Sequence, residues 1–214
     1  MNSNIYYAMD RMLEANSCDA IVEQNKDIIV TGATFGSEDG GAVRKSKVAF
    51  MSQGDSNYYD ALWDIGKYLN RVSGWNYDLE GIDDVQFTRY EPNEFYKWHA
   101  DMNGDIYERH IAGIKEVDNP RVATHPDKIG KTRKMSMSIQ LSDPEDYEGG
   151  SFELATLDTD QQSDLVIRTM NETRFFTNKG SVIAFPSFVH HKVNPVIKGT
   201  RYSLVVWFYG RPFK

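Results

Sequence analysis

Residues 96–101 read Tyr-Lys-Trp-His-Ala-Asp (YKWHAD), and they belong with a distant second stretch, residues 190–195, His-His-Lys-Val-Asn-Pro (HHKVNP). In an extended strand, side chains two positions apart lie on the same face, so His99 and Asp101 would present an imidazole and a carboxylate to one point. Two histidines and one carboxylate on one face of an octahedral Fe(II) form the usual site of non-haem iron oxygenases. The missing ligand would be a second histidine from another strand.

A His-x-Asp pair is a weak signal by itself, because the chain contains a second one. His125 and Asp127 have the same spacing, but Pro126 between them cannot donate to a sheet ladder, and the surrounding residues are typical of a loop. The aromatic residues beside His99, by contrast, favour a strand. The sequence therefore favours His99 and Asp101 as the ligand pair.

Length and composition limit the class of protein. With 214 residues, 40% of them hydrophobic and 26% charged, the chain can bury one sizeable core, and we expect a single domain over residues 1–214. It has no apolar run of membrane length and no N-terminal signal pattern, so we expect a soluble, cytoplasmic protein without a membrane partner. The net charge of −7 disfavours a nucleic-acid partner, since phosphate binding needs a basic surface.

Cysteine usage narrows the choice of metal ligands. The single cysteine, Cys18, excludes an internal disulfide and any thiolate cluster, so a bound metal would use histidine and carboxylate. We expect Cys18 itself to be a small buried residue in a helix for which Ser17 is a plausible N-cap.

The first 83 residues are interpreted as a helical support region. Residues 6–13 are strand-like, residues 31–41 are interpreted as a surface loop, and residues 48–50 are a candidate strand. The clearest helix follows Asp55 or Ser56. Its apolar residues recur three and four positions apart, which predicts a stripe facing a sheet: Tyr59, Leu62, Trp63, Gly66, Leu69 and Val72.

Residues 84–214 are interpreted as a strand-rich core. Residues 85–90 alternate as a strand should, and the turn at residues 91–94 predicts a hairpin with the His99 strand. Residues 102–131 are polar and without a period, which indicates either a lid or a disordered excursion. Further short strands are predicted at residues 133–141, 151–154, 165–167, 174–176, 182–185, around His191, and at 202–208. Helices followed by many short strands predict an α+β, mainly β fold: a double-stranded β-helix (jelly roll) with the N-terminal helices packed on one sheet.

Two further features lie near the C-terminus. His190 and His191 are adjacent and point to opposite sides of a strand, so only one of them can face the metal. Arg201 stands ten residues beyond His191, at the head of the apolar run 202–208. A guanidinium facing into such a strand is costly unless it meets a carboxylate, which a dicarboxylate co-substrate or a protein Asp or Glu would supply.

The order and spacing of these features resemble the iron- and 2-oxoglutarate-dependent dioxygenases, and within them the prolyl 4-hydroxylase group with its small bacterial and bacteriophage relatives. The likeness rests on His99-x-Asp101, His191, Arg201, Gly149-Gly150 and Asn194-Pro195-Val196-x-x-Gly199-x-Arg201. It extends to Ser17-Cys18-Asp19, Arg44-x-Ser46, Tyr90, Leu141–Pro144 and Tyr147.

The resemblance implies a metal and co-substrate site. His99, Asp101 and His191 would hold Fe(II), with His191 preferred over His190 because the family's Val and Pro-Val follow it at fixed offsets. Arg201 would bind the distal carboxylate of 2-oxoglutarate. Tyr90 and Ser203 would help it. The implied reaction uses O2, releases succinate and CO2, and is supported by ascorbate.

The resemblance also bears on the substrate. Tyr96, Arg133 and Trp207 match positions near the substrate in some relatives, and the implied reaction is hydroxylation of a prolyl residue in a peptide or protein. A free amino acid or other small molecule, and another side chain, stay open, as do a monomer and a homodimer. The chain departs from some animal relatives by Gln140 in place of a co-substrate-binding tyrosine, and its loops at residues 102–131 and 155–171 look longer than in compact relatives.

Other classes are disfavoured on single residues. Nucleic-acid demethylases of the same superfamily usually carry a second arginine where this chain has Trp207. Iron halogenases lack the ligand aspartate that is present here as Asp101. A non-catalytic jelly-roll binding module would not need the three ligands together with Arg201.

Overall fold

The computed structural model describes residues 5–27, 30–35, 42–51, 58–102, 126–159, 165–170 and 176–213. Its helices are α1 Ala15–Asn25 and α2 Tyr59–Val72. Its strands are β1 Tyr7–Met9, β2 Val30–Phe35, β3 Ala42–Met51, β4 Gly81–Ile82, β5 Val85–Tyr90, β6 Phe95–His99, β7 Thr132–Gln140, β8 Tyr147–Gly149, β9 Phe152–Thr159, β10 Leu165–Met170, β11 Val182–Pro186, β12 His191–Val193, β13 Val196–Gly199 and β14 Arg201–Gly210.

One antiparallel sheet of 12 strands curls around the centre of the protein. Its order is β1-β11-β7-β14-β5-β3-β6-β12-β9-β10, with β2 paired to β3 and β4 paired to β14, while β8 and β13 form a separate pair. The sheet has two halves, β1-β11-β7-β14-β5 and β6-β12-β9-β10. Strand β3 joins them, because its residues 47–51 pair with β5 and its residues 44–45 pair with β6. The arrangement confirms the predicted mainly β, jelly-roll fold.

Both helices pack on one face of this sheet, as predicted. Alternation along β14 separates the faces: Leu204, Val206 and Phe208 join the helix-covered core, whereas Arg201, Ser203, Val205 and Trp207 line the inner cavity. The predicted stripe of α2 is confirmed, with Leu62 and Leu69 in the same core. Gly66 lets α2 approach closely, since a Cβ at this position would lie 2.1 Å from Cζ of Phe208.

The predicted N-cap of the first helix is wrong. Glu14 occupies that position and Ser17 lies inside α1, because the backbone amides of both Ser17 and Cys18 donate to the Glu14 carbonyl. The fully buried Cys18 and Ile21 set which side of the helix faces the core. Cys18 is a buried free thiol, as expected, and burial raises its pKa to about 11. The predicted start of α2 at Asp55 or Ser56 lies outside the described residues.

The predicted hairpin between residues 85–90 and the His99 strand is also wrong. Strands β5 and β6 both pair with β3 and not with each other. The connection turns at Pro92 and at Asn93, whose φ is 66°. The amide of Asn93 donates to the Val196 carbonyl at 2.8 Å, so the turn is held by β13. The chain therefore passes from one half of the curled sheet to the other.

Two regions interpreted as loops contain strands. Residues 31–35 pair with β3, because the ladder satisfies backbone groups that a surface loop would leave to water. Within residues 155–171, the strand predicted at residues 165–167 is confirmed as part of β10. Strand β9 extends beyond the predicted residues 151–154 and pairs with β10 in an antiparallel ladder from Leu154↔Met170 to Thr159↔Leu165. The first 83 residues, interpreted as a helical support, also contribute β1 to β4.

Several sequence predictions fall outside the described residues. They include most of the proposed lid at residues 102–131, His125 of the second His-x-Asp pair, and the start of the strand predicted at residues 174–176. Within the described ranges, no helix has the length and hydropathy needed to cross a membrane.

Candidate metal and co-substrate site

A cavity lies between the two halves of the curled sheet and is lined by the inward-facing side chains of both. These are Gln86, Tyr90, Tyr96, His99, Asp101, Ser138, Phe152, Phe185, His191, Val193, Arg201, Ser203, Val205 and Trp207. Of the nine site residues taken from the sequence, eight line this cavity, and Arg133 is the exception. The fold therefore places metal, co-substrate and substrate candidates around one space.

The three candidate ligands approach one another closely. Asp101 Oδ1 lies 3.8 Å from His99 Nε2, and Asp101 Oδ2 lies 3.6 Å from His191 Nε2. The histidines are cross-strand partners on β6 and β12. Asp101 lies two residues beyond the end of β6, so it is not on the strand as the spacing argument assumed. Its backbone amide donates to the Ser187 carbonyl at 3.0 Å, which fixes the bend.

Backbone carbonyls set the orientation of both imidazoles. Nδ1 of His99 lies 2.8 Å from the Lys97 carbonyl, and Nδ1 of His191 lies 3.0 Å from the Val189 carbonyl. A carbonyl oxygen can only accept, so each Nδ1 carries a proton, and in the neutral form of each ring Nε2 is the atom left with a lone pair. Such hydrogen bonds are typical of metal-ligating histidines.

The electrostatics of the site suit a divalent metal. Burial lowers the pKa of His99 to about 3, so the imidazole is neutral. Burial opposes ionisation of Asp101, but nearby positive charge, including the Arg133 guanidinium, favours the carboxylate, and the pKa of Asp101 lies below the ordinary value. Asp101 Oδ2 is buried without a hydrogen-bond donor among the described residues. Two free imidazole lone pairs and an orphaned carboxylate oxygen are the donor set of an Fe(II) facial triad. The residues present therefore fit the metal.

The low pKa of His99 predicts that the metal-free protein loses stability on acidification. The pKa is 6.5 ordinarily and about 3 in the folded chain, so between these values the unfolded chain binds more protons. The free energy of unfolding should be unaffected by this group above the upper value and should fall below it, by at most about 1.4 kcal/mol per pH unit.

Urea unfolding across this pH range measures the effect. His99→Gln should flatten the slope, because it removes the group whose pKa differs between the folded and the unfolded chain. Equal slopes in wild type and His99→Gln would contradict the prediction.

Arg201 is a buried cation on the other side of the cavity. It begins β14, is 2% exposed, and has Tyr90 as its cross-strand partner on β5. Its guanidinium carbon lies 5.7 Å from the centre of the Tyr90 ring, and no carboxylate in the described part of the chain pairs with it. Ser203 lies two residues further on the same face. An anionic ligand between these three side chains would supply the missing counter-charge.

Gly150 leaves room for the stem of Arg201. Its φ is +61°, and a Cβ at this position would lie 3.1 Å from Arg201 Cδ and 3.0 Å from Val196 Cγ2. We expect Gly150→Ala to displace the guanidinium and raise the KM for 2-oxoglutarate several-fold, in addition to a backbone cost of about 1–2 kcal/mol. Gly74→Ala is the matched control, because Gly74 has a φ of +81° and nothing within 4 Å. The same KM in both variants would show that Gly150 is needed only for its positive φ and not to leave space for Arg201.

The three substrate candidates differ in position. Tyr96 and Trp207 line the cavity, and Trp207 Nε1 is buried without an acceptor among the described residues. Arg133 lies behind Trp207: its guanidinium carbon is 3.9 Å from the centre of the ring, and Nη2 is 3.0 Å from Asp83 Oδ2. His190 is exposed, so His191 is the histidine that faces the cavity.

Some site residues gave no usable sequence signal. Phe185 and Phe152 contact the His191 ring, with centroid distances of 4.6 and 5.5 Å. Both were recognised only as strand residues. Ser187 acts through its carbonyl, which no side-chain pattern reveals. Gln140, the departure noted in the sequence, is fully buried, and its Nε2 donates to the Tyr147 hydroxyl at 2.9 Å.

Comparison with known proteins identifies the family. Residues 85–209 match the model of the 2OG-Fe(II) oxygenase superfamily. This match spans more than half of the chain and includes all three candidate ligands and Arg201. The chain belongs to the 2OG-Fe(II) oxygenase superfamily, as the resemblance in the sequence predicted.

Individual relatives of this chain include proteins named as hydroxylases. A PKHD-type hydroxylase of Alteromonas mediterranea is 33% identical over 122 residues, which are 56% of this chain and 41% of that protein. This chain spans 40–49% of the length of such curated relatives.

Solved structures share the fold at low identity. The viral collagen prolyl hydroxylase of Paramecium Bursaria Chlorella virus-1, in its 2OG complex, has a TM-score of 0.61 at 17% identity and covers 98% of both chains. A prolyl hydroxylase of Trichoplax adhaerens, in complex with a hypoxia inducible factor peptide, has a TM-score of 0.56 at 16% identity and covers 97% of this chain and 84% of that one.

Proposed function

We propose that this chain is an Fe(II)- and 2-oxoglutarate-dependent dioxygenase that hydroxylates a prolyl residue of a peptide or protein and releases succinate and CO2. The observation that carries the proposal is the convergence of His99, Asp101 and His191 with the buried Arg201 on one cavity. When bound, Fe(II) with 2-oxoglutarate and O2 supplies the oxidising chemistry. Ascorbate would support turnover by keeping the iron reduced.

The side chains of this cavity divide the work of binding. His99, Asp101 and His191 would hold the metal on one face, which leaves its other positions to ligands in the cavity. Arg201 would bind the distal carboxylate of 2-oxoglutarate through a forked, charge-assisted pair, with Tyr90 and Ser203 beside it. Phe152 and Phe185 cover the His191 ring and exclude water from this side.

A peptide substrate is supported by Trp207. Its indole Nε1 is a donor without an acceptor in the described structure, and it belongs to the residues that line the cavity. Burying such a donor is costly unless a ligand accepts from it, and the carbonyl oxygen of a peptide bond is a suitable acceptor. Arg133 stacks behind the ring and holds it in place. The names of the relatives, which are PKHD-type and prolyl hydroxylases, agree with a prolyl substrate.

Mass spectrometry of oxygen incorporation tests the proposal. Wild-type protein and Asp101→Ala are incubated with Fe(II), 2-oxoglutarate, ascorbate and O2 in a lysate of host cells and, separately, with a mixture of proline-containing peptides. We expect a gain of one oxygen on prolyl residues that depends on Asp101. Oxygen gained only by free amino acids or by other side chains would contradict a prolyl substrate and assign a different substrate class. If no molecule gains oxygen in either mixture, hydroxylase activity is contradicted. Cytoplasmic location, a monomer or homodimer, and the absence of a nucleic-acid partner stay predictions.

A further inference from the structure

Tyr96 connects a metal-ligand candidate to a second buried arginine. Its ring is stacked on the His99 imidazole, with centroids 3.4 Å apart and planes 12° from parallel. The guanidinium carbon of Arg44 lies 4.9 Å from the centre of the same Tyr96 ring. An imidazole stacked at 3.4 Å leaves no room for a guanidinium on the same face of the ring, which assigns the opposite face to Arg44. The three side chains form one stack that ends at the metal site.

Arg44 is held in this position from the sheet. It is 8% exposed and is the direct cross-strand partner of Tyr96, on β3 and β6. Its Nε donates to Ser46 Oγ at 2.7 Å, and its Nη1 donates to Gln86 Oε1 at 3.1 Å. Gln86 is fixed in turn, since its Nε2 donates to Thr88 Oγ1 at 2.8 Å. These bonds hold the plane of the guanidinium.

The buried guanidinium of Arg44 lacks a counter-ion among the described residues. Its Nη2 is buried without an acceptor, and no carboxylate forms an ion pair with it, within the described ranges. A buried cation without a counter-ion is stabilised by an aromatic face. The Tyr96 ring supplies that face, so the guanidinium keeps the ring flat against His99.

We propose that Arg44 is a positioning residue for His99, acting through the Tyr96 ring. The hydrogen bond from Nδ1 to the Lys97 carbonyl limits the tilt of the imidazole at one atom, and the stack limits it over the whole ring face. Together they direct Nε2 toward Asp101. Partners of this kind, outside the ligands themselves, typically change metal affinity by 10- to 100-fold. The inference rests on the proposed assignment of His99 as a metal ligand.

Metal affinity of the purified, metal-free protein tests the inference without turnover. Mn(II) binding is measured by calorimetry, and the visible spectrum of the Co(II) form reports the geometry of the ligands. We expect Arg44→Met and Tyr96→Leu each to weaken Mn(II) binding roughly tenfold and to alter the Co(II) spectrum. Tyr96→Phe keeps both ring faces and should bind Mn(II) like wild type.

A matched control is Arg89→Met. Arg89 is a partly buried arginine on β5, also with a buried nitrogen that lacks a partner in the described structure, and it lies outside the cavity lining. Its loss should leave the Mn(II) dissociation constant unchanged. Wild-type affinity and spectrum in Arg44→Met, with only a lower Tm, would overturn the inference and reduce Arg44 to a structural role.

The Tyr96 variants and His99→Ala test the inference independently of Arg44→Met. Should Arg44→Met fail to fold, equal Mn(II) affinities of Tyr96→Leu and Tyr96→Phe would overturn the inference, and weaker binding in Tyr96→Leu alone would support it. His99→Ala tests the underlying metal site separately. Wild-type Mn(II) binding in His99→Ala would contradict the site itself, whereas lost binding there with full binding in Arg44→Met would contradict only the role of Arg44.

Discussion

Replacing Asp101 with alanine is expected to abolish metal binding and turnover. The substitution removes the anionic member of the triad and leaves two imidazoles, which share a buried space with the cation Arg201. Mutation of residues that only orient the ligands typically lowers metal affinity by 10- to 100-fold. Loss of a ligand itself should therefore lower metal affinity by more than about a hundredfold. Calorimetric titration with Mn(II) and the rate of succinate formation measure the two effects.

The histidine ligands give the same prediction with a built-in control. His99→Ala and His191→Ala should behave like Asp101→Ala, whereas His190→Ala should keep metal affinity, since its side chain is exposed outside the cavity. Asp127→Ala, in the turn Pro126–Lys128, should keep it too. Full metal binding in His191→Ala together with its loss in His190→Ala would contradict the ligand assignment.

Replacing Arg201 with lysine is expected to raise the KM for 2-oxoglutarate roughly tenfold or more, the equivalent of about 1.4 kcal/mol. Lysine keeps the charge but cannot form the forked pair with a carboxylate. Arg201→Met, which also removes the charge, should raise the KM further. Initial rates at varied 2-oxoglutarate concentration measure the effect.

The metal affinity of the Arg201 variants distinguishes co-substrate binding from damage to the site. Mn(II) binding should barely change in Arg201→Lys, because the guanidinium and the triad occupy different parts of the cavity. Arg211→Lys, at an exposed arginine that pairs with Glu80, should leave both the KM and the metal affinity unchanged. A wild-type KM in Arg201→Lys would remove this residue from the co-substrate site.

The candidate ligands were accessible from the sequence because their chemistry is specific and the elements that carry them are local. His99 and His191 both lie in strands, as the patterns predicted, although the strand of His99 ends there and does not continue to Asp101. The position of Asp101 beside the two histidines was predicted for a partly wrong reason. It reaches the imidazoles from a bend that is fixed by the Ser187 carbonyl, and such a contact between residues distant in sequence leaves no trace in local periodicity.

The wrong predictions share a physical cause. The turn at Pro92 and Asn93 has the composition of a hairpin, but β3 pairs with the strands on both sides of it and keeps them apart. Residues 31–35, which begin the stretch interpreted as a surface loop, still form a strand because β3 offers a ladder to pair with. Arg44 is another case, since its place beside Tyr96 depends on the register of two strands 52 positions apart in sequence. Cross-strand partners of this kind decide the details of the site, and a single sequence does not reveal them.

The central claim is that this cavity couples 2-oxoglutarate decarboxylation to hydroxylation through Asp101 and its two histidine partners. The most direct test is turnover under isotopically labelled O2, with Fe(II), 2-oxoglutarate and proline-containing peptides, followed by mass spectrometry of both products. The account predicts one labelled oxygen in succinate and one in a prolyl residue, formed in equal amounts by wild type and absent with Asp101→Ala. Succinate that forms without label, or at the same rate with Asp101→Ala, would contradict it.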